Sequence, residues 1–302
     1  MGRRPHTGPD GLIVVDKEAG WTSHDVVAKS RGLLGTRKVG HAGTLDPDAT
    51  GVLLLGVGKA TKLLRFLSPL GKAYVGEVVL GTETSTLDAA GDVTATHDMG
   101  GVTLADVRSA AAAFVGDIEQ IPPMVSAVKI DGKRLYELAR QGIEVERAPR
   151  PVTIRSLEVL PGPDDEGGVF TVVVSCSSGT YIRTLAADIG TALGGGAHLR
   201  NLRRTSVGPF TLDDAVPLEA VGPERVRPMI DAVRHLPSTA VDEDGAAAVR
   251  VGKVLERDEL AVTGEGPWAV VGPDGELLAV YEPFRGTTAK PSLVIPADPV
   301  AP

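Results

Sequence analysis

The residues Gly40-His41-Ala42-Gly43-Thr44-Leu45-Asp46-Pro47 set one carboxylate, Asp46, on a glycine-flanked loop five residues after a histidine and just before an apolar run. Proline biases the residue before it toward extended backbone, and Gly40 and Gly43 let the chain turn tightly or lie against a ligand. A carboxylate pinned in this way suggests a site, although the same letters also suit an ordinary turn. Tyr74, in Lys72-Ala73-Tyr74-Val75, is either an aromatic packed at a sheet rim or a ring that stacks on a base while its hydroxyl handles a proton. Arg183 follows Ser177-Ser178-Gly179-Thr180-Tyr181-Ile182. In the first turn of a helix an arginine opposes the dipole, so it needs another partner. A carboxylate is the natural one, and an Arg183–Asp46 pair would keep Asp46 anionic and aimed; the alternative is a surface arginine.

Two basic stretches stand beside this set. Between residues 129 and 155 lie seven cations, among them Lys129, Lys133, Arg134 and Arg140, against four acids, with Tyr136 in their midst. Such a segment grips phosphates or forms a solvated charged hairpin. Arg200, Arg203 and Arg204 fall in one predicted strand, where they line an anionic groove or decorate an edge.

The elements that must position these groups follow from pattern and punctuation. Strands are predicted at Leu12–Val15, Val52–Val57, Tyr74–Leu80, Val152–Leu160, Val169–Ser175 and Leu199–Val207. Helices are predicted from Thr22 or Ser23 to Leu34, from Ala60 to Leu67, from Leu104 to Val115, from Leu135 to Arg140 and from Tyr181 to Leu193. His41 to Asp46 reads as loop, and so does the polar stretch from Thr82 to Asp98. Pro217 to His235 is helical or irregular, and short strands dominate from Val241 onward. The interleaving suggests α/β or α+β. Neither Gly58-Lys59 nor Gly194-Gly195-Gly196 completes a nucleotide-binding fingerprint.

Composition narrows the class. At 302 residues with 42% hydrophobic content the chain builds a sizeable core, and its length suits a main domain and a small one. A net charge of −8 argues against non-specific coating of nucleic acid. From Ser238 onward there are 5 basic and 11 acidic residues, so the main body is left free to carry local positive surface. The single cysteine, Cys176, excludes an intrachain disulfide and a cysteine-based zinc site, and the histidines show no metal-ligand spacing. No apolar run is long enough to span a bilayer and no secretory signal is evident, so a cytoplasmic protein is expected.

Together these pieces resemble the TruB family of bacterial tRNA pseudouridine-55 synthases. The resemblance runs in order from Leu12 to Leu212. It is carried by Val14-Val15-Asp16-Lys17, Gly40 to Pro47, Ala49-Thr50-Gly51, Gly58-Lys59-Ala60-Thr61-Lys62, Gln120-x-Pro122-Pro123, Ser126-Ala127-Val128-Lys129, Ala139-Arg140-Gln141-Gly142 and Cys176 to Arg183. It implies an α+β pseudouridine synthase fold, with a central mixed, mostly antiparallel sheet flanked by helices. Residues 1–236 would form the catalytic domain, with 121–146 a thumb-like RNA-clamping insertion, and 237–302 a small β-rich PUA-like module. It implies isomerisation of uridine in the T loop of tRNA by base flipping, with no cofactor, no metal, no obligate protein partner, and a monomeric enzyme. Asp46 matches the nucleophile, Tyr74 the residue that stacks on the uracil, and Arg183 the aspartate's partner. His41, Tyr181 and Leu202 match substrate contacts. Lys17, Lys129, Lys133, Arg134, Arg140, Arg203 and Arg204 are expected along the RNA backbone. Two positions depart from the family pattern: Glu18 replaces a proline, which would loosen the turn at Lys17, and Asp48 adds a carboxylate that either raises the pKa of Asp46 or points away from it, since alternate residues of an extended chain face opposite ways. The rival readings are an RNA-binding module that folds tRNA without chemistry and a carboxylate-based hydrolase of a small molecule, which lacks a paired carboxylate at a convincing spacing and leaves the 129–155 cluster unexplained.

Overall fold

The computed structural model describes residues 8–126, 129–130, 133–135, 138, 141–143, 145–163 and 167–297. In chain order the strands are β1 (Gly11–Lys17), β2 (Val39–Ala42), β3 (Thr50–Val57), β4 (Lys72–Leu80), β5 (Thr82–Thr84), β6 (Val93–Thr96), β7 (Gly116–Gln120), β8 (Lys129–Ile130), β9 (Lys133–Arg134), β10 (Arg150–Pro161), β11 (Val169–Cys176), β12 (Ala197–Val207), β13 (Phe210–Thr211) and β14 (Val216–Pro217). A second group follows: β15 (Ser238–Ala240), β16 (Leu255–Glu256), β17 (Trp268–Val271), β18 (Leu277–Pro283) and β19 (Thr288–Val294). Among the described residues the α-helices with both ends described are α1 (Ser23–Leu33), α2 (Leu64–Leu67), α3 (Leu104–Ala112), α4 (Ile182–Ala192) and α5 (Glu243–Arg250), and most of the helix expected at Leu135–Arg140 lies outside the described residues.

One ten-stranded sheet runs in the order β14-β1-β3-β12-β4-β11-β10-β7, with β13 beside β12 and β2 beside β3. Only the β1–β14 and β3–β12 pairs are parallel, so the sheet is mixed and mostly antiparallel. Its central strands alternate as half-buried strands must: β4 buries Lys72, Tyr74, Gly76, Val78 and Leu80 on one face. The helices start where the sequence puts caps. Thr22 accepts from the Asp25 N–H while the Asp25 carboxylate accepts from the Thr22 N–H, and Thr103 with Asp106 repeats the arrangement. Residues 238–294 form a separate five-stranded sheet, ordered β15-β17-β18-β19-β16. Ala269, Leu277, Val280 and Ile295 share a core with Leu12, Val14, Val52 and Leu54 of the large sheet. Among the described residues no helix is long and apolar enough to cross a membrane.

Several elements differ from the sequence expectation. Thr82 to Asp98 is not all loop, because β5 and β6 pair as a hairpin. His41 lies in β2, paired with Leu55, and the loop begins only at Gly43. The stretch Ala60–Leu67 is split into a 3₁₀ segment, Gly58–Lys62, and the single α-turn of α2.

Candidate active site

Three buried side chains clamp the Asp46 loop. From the start of α1, Ser23 Oγ accepts from the Leu45 N–H at 2.9 Å and donates to the Leu45 carbonyl at 3.1 Å. From the end of β1, Lys17 Nζ donates to the carbonyls of Pro47, Trp21 and Glu18 at 2.8, 2.7 and 2.9 Å. From β12, Arg204 donates to the carbonyls of Gly43 and Thr44 at 3.0 and 3.3 Å and of Val52 at 2.7 Å. Gly43 sits at φ +82°, where a side chain is strained, and a Cβ there would meet Lys72 and Arg204. Gly51, at φ +101°, passes so near the Arg204 carbonyl that any Cβ would clash with it.

These bonds revise two expectations. Lys17 and Arg204 are 0% exposed, so neither reaches an RNA backbone; both hold the loop from within. The turn after Lys17 is not loose despite Glu18, because the ammonium ties three carbonyls together. Arg203, between two inward-facing neighbours, turns the other way and forms a two-pronged pair with Asp16 at 3.0 and 2.6 Å.

Asp46 and Arg183, separated by 137 positions, meet at the floor of a cleft. Arg183 Nε lies 3.0 Å from one carboxylate oxygen and Nη2 donates to the other at 3.3 Å. The guanidinium is buried, whereas 40% of the Asp46 side chain faces the opening. Its remaining donors go to the carbonyls of Thr86 (2.9 Å) and Val125 (2.8 Å), and Nη1 lies 3.5 Å from the Asp88 carboxylate. Burial raises the pKa of Asp46 above the usual carboxylate range, Arg183 pulls it back, and Asp88 adds to the rise. The second acid acting on Asp46 is therefore Asp88. Asp48 is exposed and exerts its charge on Lys17 instead.

The cleft encloses about 280 Å³. Tyr74, Tyr181 and Leu202 line it together with Asp46, Arg183, Lys72 and Arg204. Tyr74 is 7% exposed and directly opposite Arg204 across the β4–β12 pair. Burial raises its pKa, opposed by Arg204, so it remains a phenol at neutral pH. Leu202 reaches the cleft because β12 bulges: Asn201 has φ +52°, and the register shifts between Arg200 and Arg203. Tyr181 is the N-cap of α4, and the Gln120 side chain holds it from both sides, accepting from its N–H at 2.9 Å and donating to its carbonyl at 3.2 Å.

His41 is not among the cleft-lining residues; its ring stands edge-on to His24 of α1, 5.2 Å between centroids. The side chains of Lys129, Lys133 and Arg134, and all of Arg140, lie outside the described residues. Sequence reading missed Asp88, Gln120 and Ser126, whose Oγ is buried at the cleft with no partner among the described residues. Gln120 and Ser126 stand inside the motifs quoted above. Asp88 carries no signal in the sequence; in the structure Leu87, between the two groups that meet Arg183, is held at φ +63°.

Residues 31–182 match the family described as TruB family pseudouridylate synthase (N terminal domain). Residues 183–227 match the tRNA pseudouridylate synthase B C-terminal domain, and residues 236–296 match tRNA Pseudouridine synthase II, C terminal. The tRNA pseudouridine synthase B of Nocardia farcinica is 50% identical over 289 residues, covering 94% of this chain and 93% of that one. The protein of the same name from Arthrobacter sp. (strain FB24) is 48% identical over 294 residues, covering 94% and 96%. Among solved structures, a chain of a Cbf5-Nop10-Gar1 complex superposes with a TM-score of 0.73 at 30% identity, covering 94% of this chain and 84% of that one. With family matches spanning both sheets and relatives near half identity along almost their whole length, the chain belongs to the TruB family of pseudouridylate synthases.

Proposed function

We propose that this protein isomerises uridine to pseudouridine at position 55 in the T loop of tRNA, with Asp46 as the catalytic carboxylate. One observation carries the reading: a carboxylate gripped by a buried arginine opens into a cleft walled by Tyr74, Tyr181 and Leu202. A module that only remodels tRNA has no use for an acid held in this way.

The uridine leaves its stack to enter, at a cost of roughly a few kcal/mol, which stacking on Tyr74 offsets. The N1–C1′ bond then breaks, the uracil turns, and a C5–C1′ bond forms. The C5 proton is lost and N1 gains one, so the reaction is redox-neutral and needs no electron carrier. Asp46 faces the sugar and meets the positive charge that grows at C1′. Arg183 keeps the acid ionised and aimed, and Tyr74 holds the base while it turns. Residues 121–146 clamp the T arm, within a catalytic domain of residues 1–236, and 237–302 form the accessory module. The enzyme works as a monomer in the cytoplasm, without an obligate protein partner or cofactor.

The test is tritium release from a T-arm stem-loop carrying 5-tritiated uridine. Wild type releases tritium and forms pseudouridine. Asp46→Asn binds the stem-loop but releases none; release at the wild-type rate overturns the assignment.

A further inference from the structure

The cleft is electrically two-ended. At one end Asp46 and Asp88 share Arg183. Around Tyr74 the charges are different. Lys72 lies two residues before Tyr74 on the same face of β4, lines the cleft and is 8% exposed. Its ammonium donates to the carbonyls of Ser68 at 3.1 Å and Leu70 at 2.8 Å, which leaves a third N–H. Arg204, opposite Tyr74 across the β4–β12 pair, bonds to the carbonyls of Val52, Thr44 and Gly43. Among the described residues neither cation forms an ion pair with a carboxylate. Burial, then repulsion from Arg204, lowers the Lys72 pKa to about 8, and the group stays mostly protonated at neutral pH.

Two adjacent buried cations with no carboxylate in contact, Asp46 acting on Arg204 only through its charge at longer range, are costly for a resting fold. They match the charge separation the reaction creates. Heterolysis of N1–C1′ leaves positive charge on the sugar, at the Asp46 end, and places the bonding pair on the uracil, against Tyr74. We propose that Lys72 is a catalytic residue that contacts the uracil ring and, with Arg204 behind Tyr74, stabilises the negative charge the ring takes up as the N1–C1′ bond breaks. Lys72 transfers no proton. The charge leaves the ring when its electron pair forms the C5–C1′ bond, and the C5 proton is exchanged for one on N1. This inference rests on the isomerase reading above. The bland alternative is that Lys72 only caps the last carbonyls after α2.

The test compares single-turnover rates of wild type, Lys72→Met and Lys72→Arg on T-arm stem-loops carrying uridine or 5-fluorouridine at the target. Fluorine makes the ring a better leaving group. Lys72→Met is expected to slow uridine consumption about 100-fold, with stem-loop affinity unchanged, while Lys72→Arg retains most of the rate. On 5-fluorouridine the Lys72→Met deficit shrinks. Equal deficits on both substrates, or weaker binding without slower chemistry, overturn the proposal. A second measurement needs only wild type, so a variant that fails to fold leaves the question open to decision. A stem-loop with a barbiturate nucleotide, whose ring is anionic at neutral pH, is expected to bind about tenfold or more tighter than the uridine stem-loop; equal or weaker binding overturns the proposal. If wild type makes no pseudouridine, it is the isomerase reading that fails.

Discussion

The ten-stranded sheet and the five-stranded sheet are built on opposite terms. The large sheet and its loops bury Lys17, Lys72, Arg183 and Arg204. Among the described residues beyond Ser238, no charged side chain is buried, and the core there is Trp268, Tyr281, Val270, Leu278 and their neighbours. The polar tips of its large aromatics are satisfied by backbone: Trp268 Nε1 donates to the Thr263 carbonyl at 2.8 Å and the Tyr281 hydroxyl to the Lys253 carbonyl at 2.8 Å. Burying an ion costs several kcal/mol even when it is paired. Three buried cations line one cleft and a fourth, Lys17, sits under its Asp46 loop, with none buried among the described residues of the second sheet, so one region holds charge at a cost in stability and the other is simply packed.

The sharpest way to break this comparison is at Trp268, the largest fully buried side chain. Trp268→Ala is expected to cost about 3–5 kcal/mol in chemical denaturation, while the single-turnover rate of the folded enzyme is unchanged. A slower folded enzyme would mean that the two sheets are not separate in role. The reverse pattern is expected for Arg183→Met: about a 100- to 1000-fold loss of single-turnover rate, with stem-loop binding retained in a filter assay. Tyr281→Phe removes one hydrogen bond and is expected to cost about 1 kcal/mol of stability, with no change in rate.

The smallest effect concerns pH. The Asp46 pKa is raised first by burial, lowered by Arg183 and raised again by Asp88. Replacing Asp88 by Asn removes a negative charge, so Asp46 ionises at lower pH. The acidic limb of the rate profile is expected to move to lower pH in Asp88→Asn, as a series of single-turnover rates across the acid range will show. A limb that moves to higher pH contradicts the assigned electrostatics.

Much of this architecture is legible in local letters. Alternation along Lys72–Leu80 marks β4, the Thr22/Asp25 and Thr103/Asp106 pairs mark two helix starts, and the Asp-Pro step marks the acid's loop. These features depend on neighbours a few residues apart, and short-range sterics and hydrogen bonding decide them. The residue types that meet at the cleft are legible as well: Asp46, Tyr74, Arg183, Tyr181 and Leu202 all line it.

What tertiary structure alone decided is which charges are inside and whom they meet. Lys17 and Arg204 look like surface cations in the sequence, yet the carbonyls they bind belong to segments up to 161 positions away. Asp88 looks like one more polar loop residue until the 86–89 turn docks on Leu199 of β12 and brings its carboxylate to Arg183. Leu202 faces the cleft only because a bulge at Asn201 shifts the register. The physical reason is common to all three: the environment of a charge or a side-chain face is set by contacts between strands far apart in sequence, and no local pattern encodes the depth at which a residue will lie.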